Sequence, residues 1–134
     1  MKVGDQMPDL RRQIELPTLV RYAGASGDFN QIHYDADFAR AAGLPGVIGH
    51  GALAMGLVSE AVTDWVGDSR QVRSLELRFK NPYRLGDELS VSGEVVGEAD
   101  GAFEIQLRCV NQENVEIIGG ATATVAPSER SEDG

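Results

Sequence analysis

Residues 50–66, HGALAMGLVSEAVTDWV, contain no proline, and Leu53, Leu57, Ala61 and Trp65 recur in them at helical spacing. Met55, Val58 and Val62 widen the apolar surface, so this stretch is predicted to be a largely buried helix, apolar all round in its first half. After Gly67 the period changes to two. Leu75, Leu77 and Phe79 alternate with Glu76, Arg78 and Lys80, and Phe103, Ile105, Leu107 and Cys109 alternate with Glu104, Gln106 and Arg108. Leu89–Val96 and Val115–Val125 add two more strands, with turns at Gly86-Asp87, Asp100-Gly101 and Asn111–Asn114. Four successive antiparallel strands thus follow one helix. A sheet that is apolar on one face must cover that face, and residues 50–66 are the only long apolar element at hand. The fold class is therefore α+β, an antiparallel sheet wrapped round a long central helix.

Upstream, PTLVRYAG (17–24) opens with Pro17, suited to a first helical turn, and closes with Gly24, suited to a C-terminal cap. The turn-rich ASGDFNQIH follows. Asp35 is placed to cap a second short helix running through Ala42, and Gly43, Pro45 and Gly46 then break the chain. A length of 134 residues suits one domain, expected over 1–127, with 128–134 as a disordered acidic tail.

Composition narrows the function classes. Hydrophobic residues at 42% and charged residues at 25% are those of a globular chain able to build a core. Twelve Lys and Arg against 21 Asp and Glu give a net charge of −9, the wrong sign for nucleic acid or for anionic lipid. The N-terminus has no apolar leader, and no apolar stretch reaches the ~20 residues of a membrane span, so a cytoplasmic location is expected. A single cysteine, Cys109, excludes an internal disulfide and a Cys-based metal site; its place on an alternating apolar face reads as core. GxGxxG, Walker and HExxH patterns are missing, so no nucleotide cofactor and no metal is expected. Arg70, Arg73, Arg78, Lys80 and Arg84 supply local positive charge that either meets phosphates or solvates a strand.

The two histidines, His33 and His50, both lie in glycine-containing connections beside helices. Asp28 and His33, five residues apart in GDFNQIH, can share one water if the loop curls, giving a carboxylate and an imidazole to activate it. The same residues have a plain structural use, Asp28 capping a turn and His33 bonding backbone. Gly49-His50-Gly51 precedes the long helix, where free N–H groups and the positive helix end form a ready site for an oxyanion. A glycine-lined helix start needed only for packing is the alternative. Ser59, two turns along, offers its hydroxyl to the cleft or to its own i−4 carbonyl.

Taken together, Tyr22, Gly27, Asp28, Asn30, Ile32, His33 and the later GVIGHGAL resemble the hydratase signature of the MaoC-like family, the hot-dog-fold R-specific enoyl-CoA hydratases and (3R)-hydroxyacyl-ACP dehydratases. The resemblance runs from about residue 3 to residue 125. Within the family, YAGASGDFNQIH and DWVGD are similar to the catalytic dehydratase subunit of mycobacterial-type fatty acid elongation. By position it implies that Asp28 and His33 are the water-activating dyad and Gly51 the oxyanion donor, with Asn30, His50 and Ser59 contacting substrate. It also implies acyl-CoA or acyl-ACP as substrate, coenzyme A or phosphopantetheine entering only as part of it, and a homodimer, with a heterodimer as the alternative. A binding subunit without activity and a hot-dog thioesterase are the competing readings. Three positions depart from the family pattern. Gln31 replaces a proline, which is expected to hold His33 less firmly; Gly49 and Ala52 replace larger residues, which is expected to leave a roomier cleft.

Overall fold

The computed structural model describes residues 1–126; the expected acidic tail lies outside them. In chain order the elements are β1 (Gln6–Gln13), α1 (Leu16–Ser26), a 3-10 turn (Gln31–His33), α2 (Ala36–Ala41) and α3 (Gly51–Val66), then a second 3-10 turn (Ser69–Gln71), β2 (Val72–Phe79), β3 (Glu88–Ala99), β4 (Ala102–Val110) and β5 (Glu116–Val125). The five strands form one antiparallel sheet in the order β1-β3-β4-β5-β2, and α3 touches all five. This is the expected helix within a curled sheet.

The period-two pattern governs burial in the middle of the sheet. On β4, Phe103, Ile105, Leu107 and Cys109 are buried and Glu104, Gln106 and Arg108 exposed. These side chains meet Ala54, Leu57, Val58, Ala61 and Val62 of α3. Each Leu or Val so buried contributes about 1.5–3 kcal/mol, and truncating Leu57 to Ala would cost about 2–5 kcal/mol.

Four expectations are corrected. First, α3 buries one stripe only; Ala52, Gly56 and Ser59 are exposed because no second layer covers its outer side. Second, β2 pairs with β5 and not with its sequence neighbour β3, so the antiparallel succession holds only from β3 to β5. As an edge strand β2 buries little: Leu75 and Leu77 are half-buried and Phe79 is 39% exposed. Third, β1 is an additional strand that pairs with β3 through a register shift between Met7 and Leu10. Pro8 lies at that shift, on a strand with a free edge, where its missing N–H removes no ladder bond the sheet depends on. Fourth, α1 does not stop at Gly24. It continues to Ser26 and ends at Gly27, whose φ of 77° is the left-handed conformation of a helix terminus and whose N–H bonds Ala23 O. Asp35 does cap α2, its side chain accepting from Phe38 N.

Candidate active site

The terminus of α1 starts the site. Gly27 turns the chain out of the helix, and the Ser26 hydroxyl donates to Tyr22 O (2.8 Å) while accepting the Asp28 N–H (3.2 Å). Side-chain turns then wind residues 28–33 into a coil: Asp28 Oδ1 accepts from Asn30 N (3.3 Å) and Asn30 Oδ1 accepts from Ile32 N (3.2 Å). Asn30 O accepts the His33 N–H, and the Tyr34 hydroxyl donates to Phe29 O. The Asn30 oxygen is therefore committed to ordering the loop.

This coil brings Asp28 and His33 together. His33 is buried, 7% exposed, and its Nδ1 donates to Ile48 O at 2.9 Å. A carbonyl only accepts, so Nδ1 carries the proton and Nε2 is left with a lone pair. Nε2 faces Asp28 Oδ2 at 3.6 Å, too long for a direct bond. A water about 2.8 Å from each would see the two atoms at an angle of about 80°. Both structural uses of these residues are realised, the turn by Asp28 Oδ1 and the backbone bond by His33 Nδ1, and the opposite atom of each remains for chemistry. His33 is held by Ile48 and by the Asn30 turn, neither of which needs a proline at Gln31.

His50 lies behind this pair, 1% exposed, at the N-cap of α3. Its ring stacks on His33 with centroids 3.9 Å apart and planes 25° from parallel, and meets Tyr22 edge-on at 4.8 Å. Nε2 donates to Asp28 O at 3.4 Å; Nδ1 has no partner among the described residues. Burial first, and then the neighbouring His33, hold the His50 pKa below its usual value. Asp28, His33 and His50 offer ligand atoms within 4.8 Å of one another. One nitrogen of each ring, His33 Nδ1 and His50 Nε2, is already committed to a backbone carbonyl.

Gly51 is the first residue of α3. No side chain caps the helix there, which leaves the Gly51 N–H without a side-chain acceptor at the positive end of a 16-residue helix. The Phe79 ring packs beside it, 3.4 Å from where a Cβ on Gly51 would sit. Ser59 is exposed two turns away, about 12 Å along the axis, with no hydrogen bond to the dyad. Of the basic residues, Arg70 is tied to Asp68 at 2.9 Å.

Sequence reading passed over Tyr83. It is fully buried, and its hydroxyl donates to His50 O at 2.6 Å. Its ring fills the space beneath Gly49, where a Cβ would overlap it. The absent side chain at Gly49 therefore makes room for Tyr83, and the roomier cleft expected there is not found. A lone Tyr after Pro82, between two strands, is the signal that was available.

Residues 3–117 match the family described as MaoC like domain. The 3-oxo-4,17-pregnadiene-20-carboxyl-CoA hydratase beta subunit of Mycobacterium tuberculosis is 33% identical over 105 residues, covering 78% of this chain and 81% of that protein. An (R)-specific enoyl-CoA hydratase of Rhodospirillum rubrum is 29% identical over 123 residues, 90% of this chain and 85% of that one. The chain spans only 5% of a yeast fatty acid synthase subunit beta that it also matches. Among solved structures, the unliganded R-hydratase PhaJ1 from Pseudomonas aeruginosa superposes with a TM-score of 0.85 at 29% identity, covering 96% of this chain and 84% of that one.

Proposed function

The chain belongs to the MaoC like domain family, and from that premise we propose that it is a hydro-lyase, reversibly adding water to a trans-2-enoyl thioester to form the (3R)-3-hydroxyacyl thioester. The carrying observation is the 3.6 Å gap between Asp28 Oδ2 and His33 Nε2, with the other polar atom of each side chain already tied to backbone.

A water in that gap gives one proton to His33 Nε2 while its oxygen bonds to C3 of the enoyl group. The C2=C3 π pair moves into the C1–C2 bond, and the carbonyl π pair moves onto the thioester oxygen, which the Gly51 N–H and the helix end hold. As the enolate collapses, C2 takes the proton from Nε2. One water has then been added and the dyad is back in its first state; dehydration runs the same steps in reverse. Asp28 Oδ2 orients the water and stabilises the imidazolium. No metal and no cofactor takes part, and coenzyme A or phosphopantetheine is present only as the carrier.

The net charge of −9 favours acyl-CoA over an acidic carrier protein. The two sheet edges differ: β1 is guarded by Pro8, a register shift, Arg11 and Arg12, whereas β2 presents half-buried Leu75 and Leu77 and exposed Phe79. We therefore assign β2 as the edge that pairs in a dimer, a homodimer in the simplest case. The mycobacterial relative is itself named a beta subunit, so a second hydratase-like chain is the alternative partner. Among the described residues no helix is long and apolar enough to cross a membrane.

The experiment is loss of the conjugated enoyl-thioester absorbance with crotonyl-CoA and with a longer 2-enoyl-CoA, followed by chiral analysis. An R product supports the assignment; thioester hydrolysis in its place would make the protein a thioesterase, and an S product would reject the stereochemistry.

A further inference from the structure

The Tyr83 hydroxyl bonds the carbonyl of His50, and that carbonyl belongs to the same peptide unit as the Gly51 N–H. A trans peptide is planar, with C=O and N–H pointing in opposite directions, so whatever fixes the oxygen aims the hydrogen. There are no cis peptides among the described residues. We infer that Tyr83 is a positioning residue for the reaction, holding the His50–Gly51 peptide plane so that the Gly51 N–H is aimed at the thioester oxygen. The inference rests on the hydratase reading, in which Gly51 receives that oxygen.

Further observations support it. The bond is short, 2.6 Å, and comes from a side chain with no exposed surface, while the other donor to the same oxygen, Ala54 N, is distant at 3.4 Å. Tyr83 is therefore the main restraint on this carbonyl. Its ring is also locked, since Gly49 leaves room for it and a larger residue there would displace it. Donation to the carbonyl oxygen polarises the amide as a whole and makes its N–H a stronger donor. Burial pushes the phenol pKa up, with smaller contributions from Cys109 and Tyr22, so the hydroxyl keeps its proton throughout the working pH range.

Tyr83→Phe removes one oxygen and leaves the ring. The expected result is a kcat lower by about 10-fold with KM changed less than about 2-fold, below the 10²–10³ for deleting an oxyanion donor outright. A core role alone would lower the unfolding midpoint and leave kcat in place. The direct readout is the infrared C=O stretch of bound butyryl-CoA carrying 13C at the thioester carbonyl, a saturated analogue that cannot be hydrated. Wild type should shift this band to lower frequency, and Tyr83→Phe should return it part of the way. If Tyr83→Phe does not fold, trifluorotyrosine at position 83, a stronger donor of nearly the same shape, should move the band further down. An unmoved band and kcat, with Asp28→Asn inactive, would overturn the role of Tyr83 and leave the hydratase reading intact. Full turnover by Asp28→Asn would remove the reading itself.

Discussion

The imidazoles of His33 and His50 lie face to face, 3.9 Å between centroids and 25° between planes, in a pocket that almost closes over both. The groups facing His50 are His33 on its stacked side, Tyr22 from α1, and the backbone and carboxylate of Asp28. Desolvation and the nearby His33 outweigh the favourable contributions of Asp28, so His50 is neutral where a free histidine would begin to charge.

This makes stability depend on pH in a defined direction. The folded pKa lies below the unfolded 6.5, so the unfolded chain binds the proton first. The stabilisation is present above pH 6.5 and is lost as pH falls below it, by up to about 1.4 kcal/mol per pH unit. Urea midpoints from about pH 8 to pH 5 should decline in wild type and decline less in His50→Phe, which keeps the stack and cannot titrate. Identical slopes would assign the acid sensitivity to other groups.

Asp28→Asn and His33→Ala should each lower turnover of a 2-enoyl-CoA by about 10²–10⁴-fold with the fold unchanged. Because both act on one water, the double variant should be little worse than the weaker single variant. Steady-state assays beside circular dichroism test this, and losses that multiply would break the shared-water scheme.

Gly49 and Tyr83 occupy complementary space. Gly49→Ala should destabilise by about 1–3 kcal/mol through overpacking, and Tyr83→Val should recover part of that loss in the double variant. Thermal or urea unfolding of the four proteins closes the cycle, and strict additivity would mean that the two sites do not compete for the same volume.

Burial raises the Cys109 thiol pKa to about 11 and hides it inside the sheet. At pH 8 a thiol reagent should react slowly with the native protein and at once in denaturant. Fast labelling without denaturant would show β4 opening readily.

If β2 pairs with a second copy, sedimentation equilibrium should give twice the 14.4 kDa of one chain. A monomer that still hydrates enoyl-CoA would remove the dimer from the proposal.

The sequence by itself determined the central helix, the four expected strands, the adjacency of three of them in the sheet, the cap at Asp35 and the meeting of Asp28 with His33. Each depends on information local to a few residues: a period, a capping side chain, or a motif with fixed spacing. The fate of β1 and β2 was not local. An edge strand tolerates Pro8, and β2 finds its partner β5 only when the sheet curls round α3. The extent of α1 depended on which glycine took a positive φ, and Gly24 and Gly27 look alike in a string of letters. The site followed the same division. Asp28, His33 and Gly51 were legible as candidates, but which atom of each stays free was not. Ile48 O, 15 residues from His33, decides that Nδ1 carries the proton; Tyr83, 33 residues from His50, fixes the peptide that ends in the Gly51 N–H. A motif can name candidate groups, whereas tautomer and aim are set by hydrogen bonds between segments that only tertiary packing brings within 3 Å.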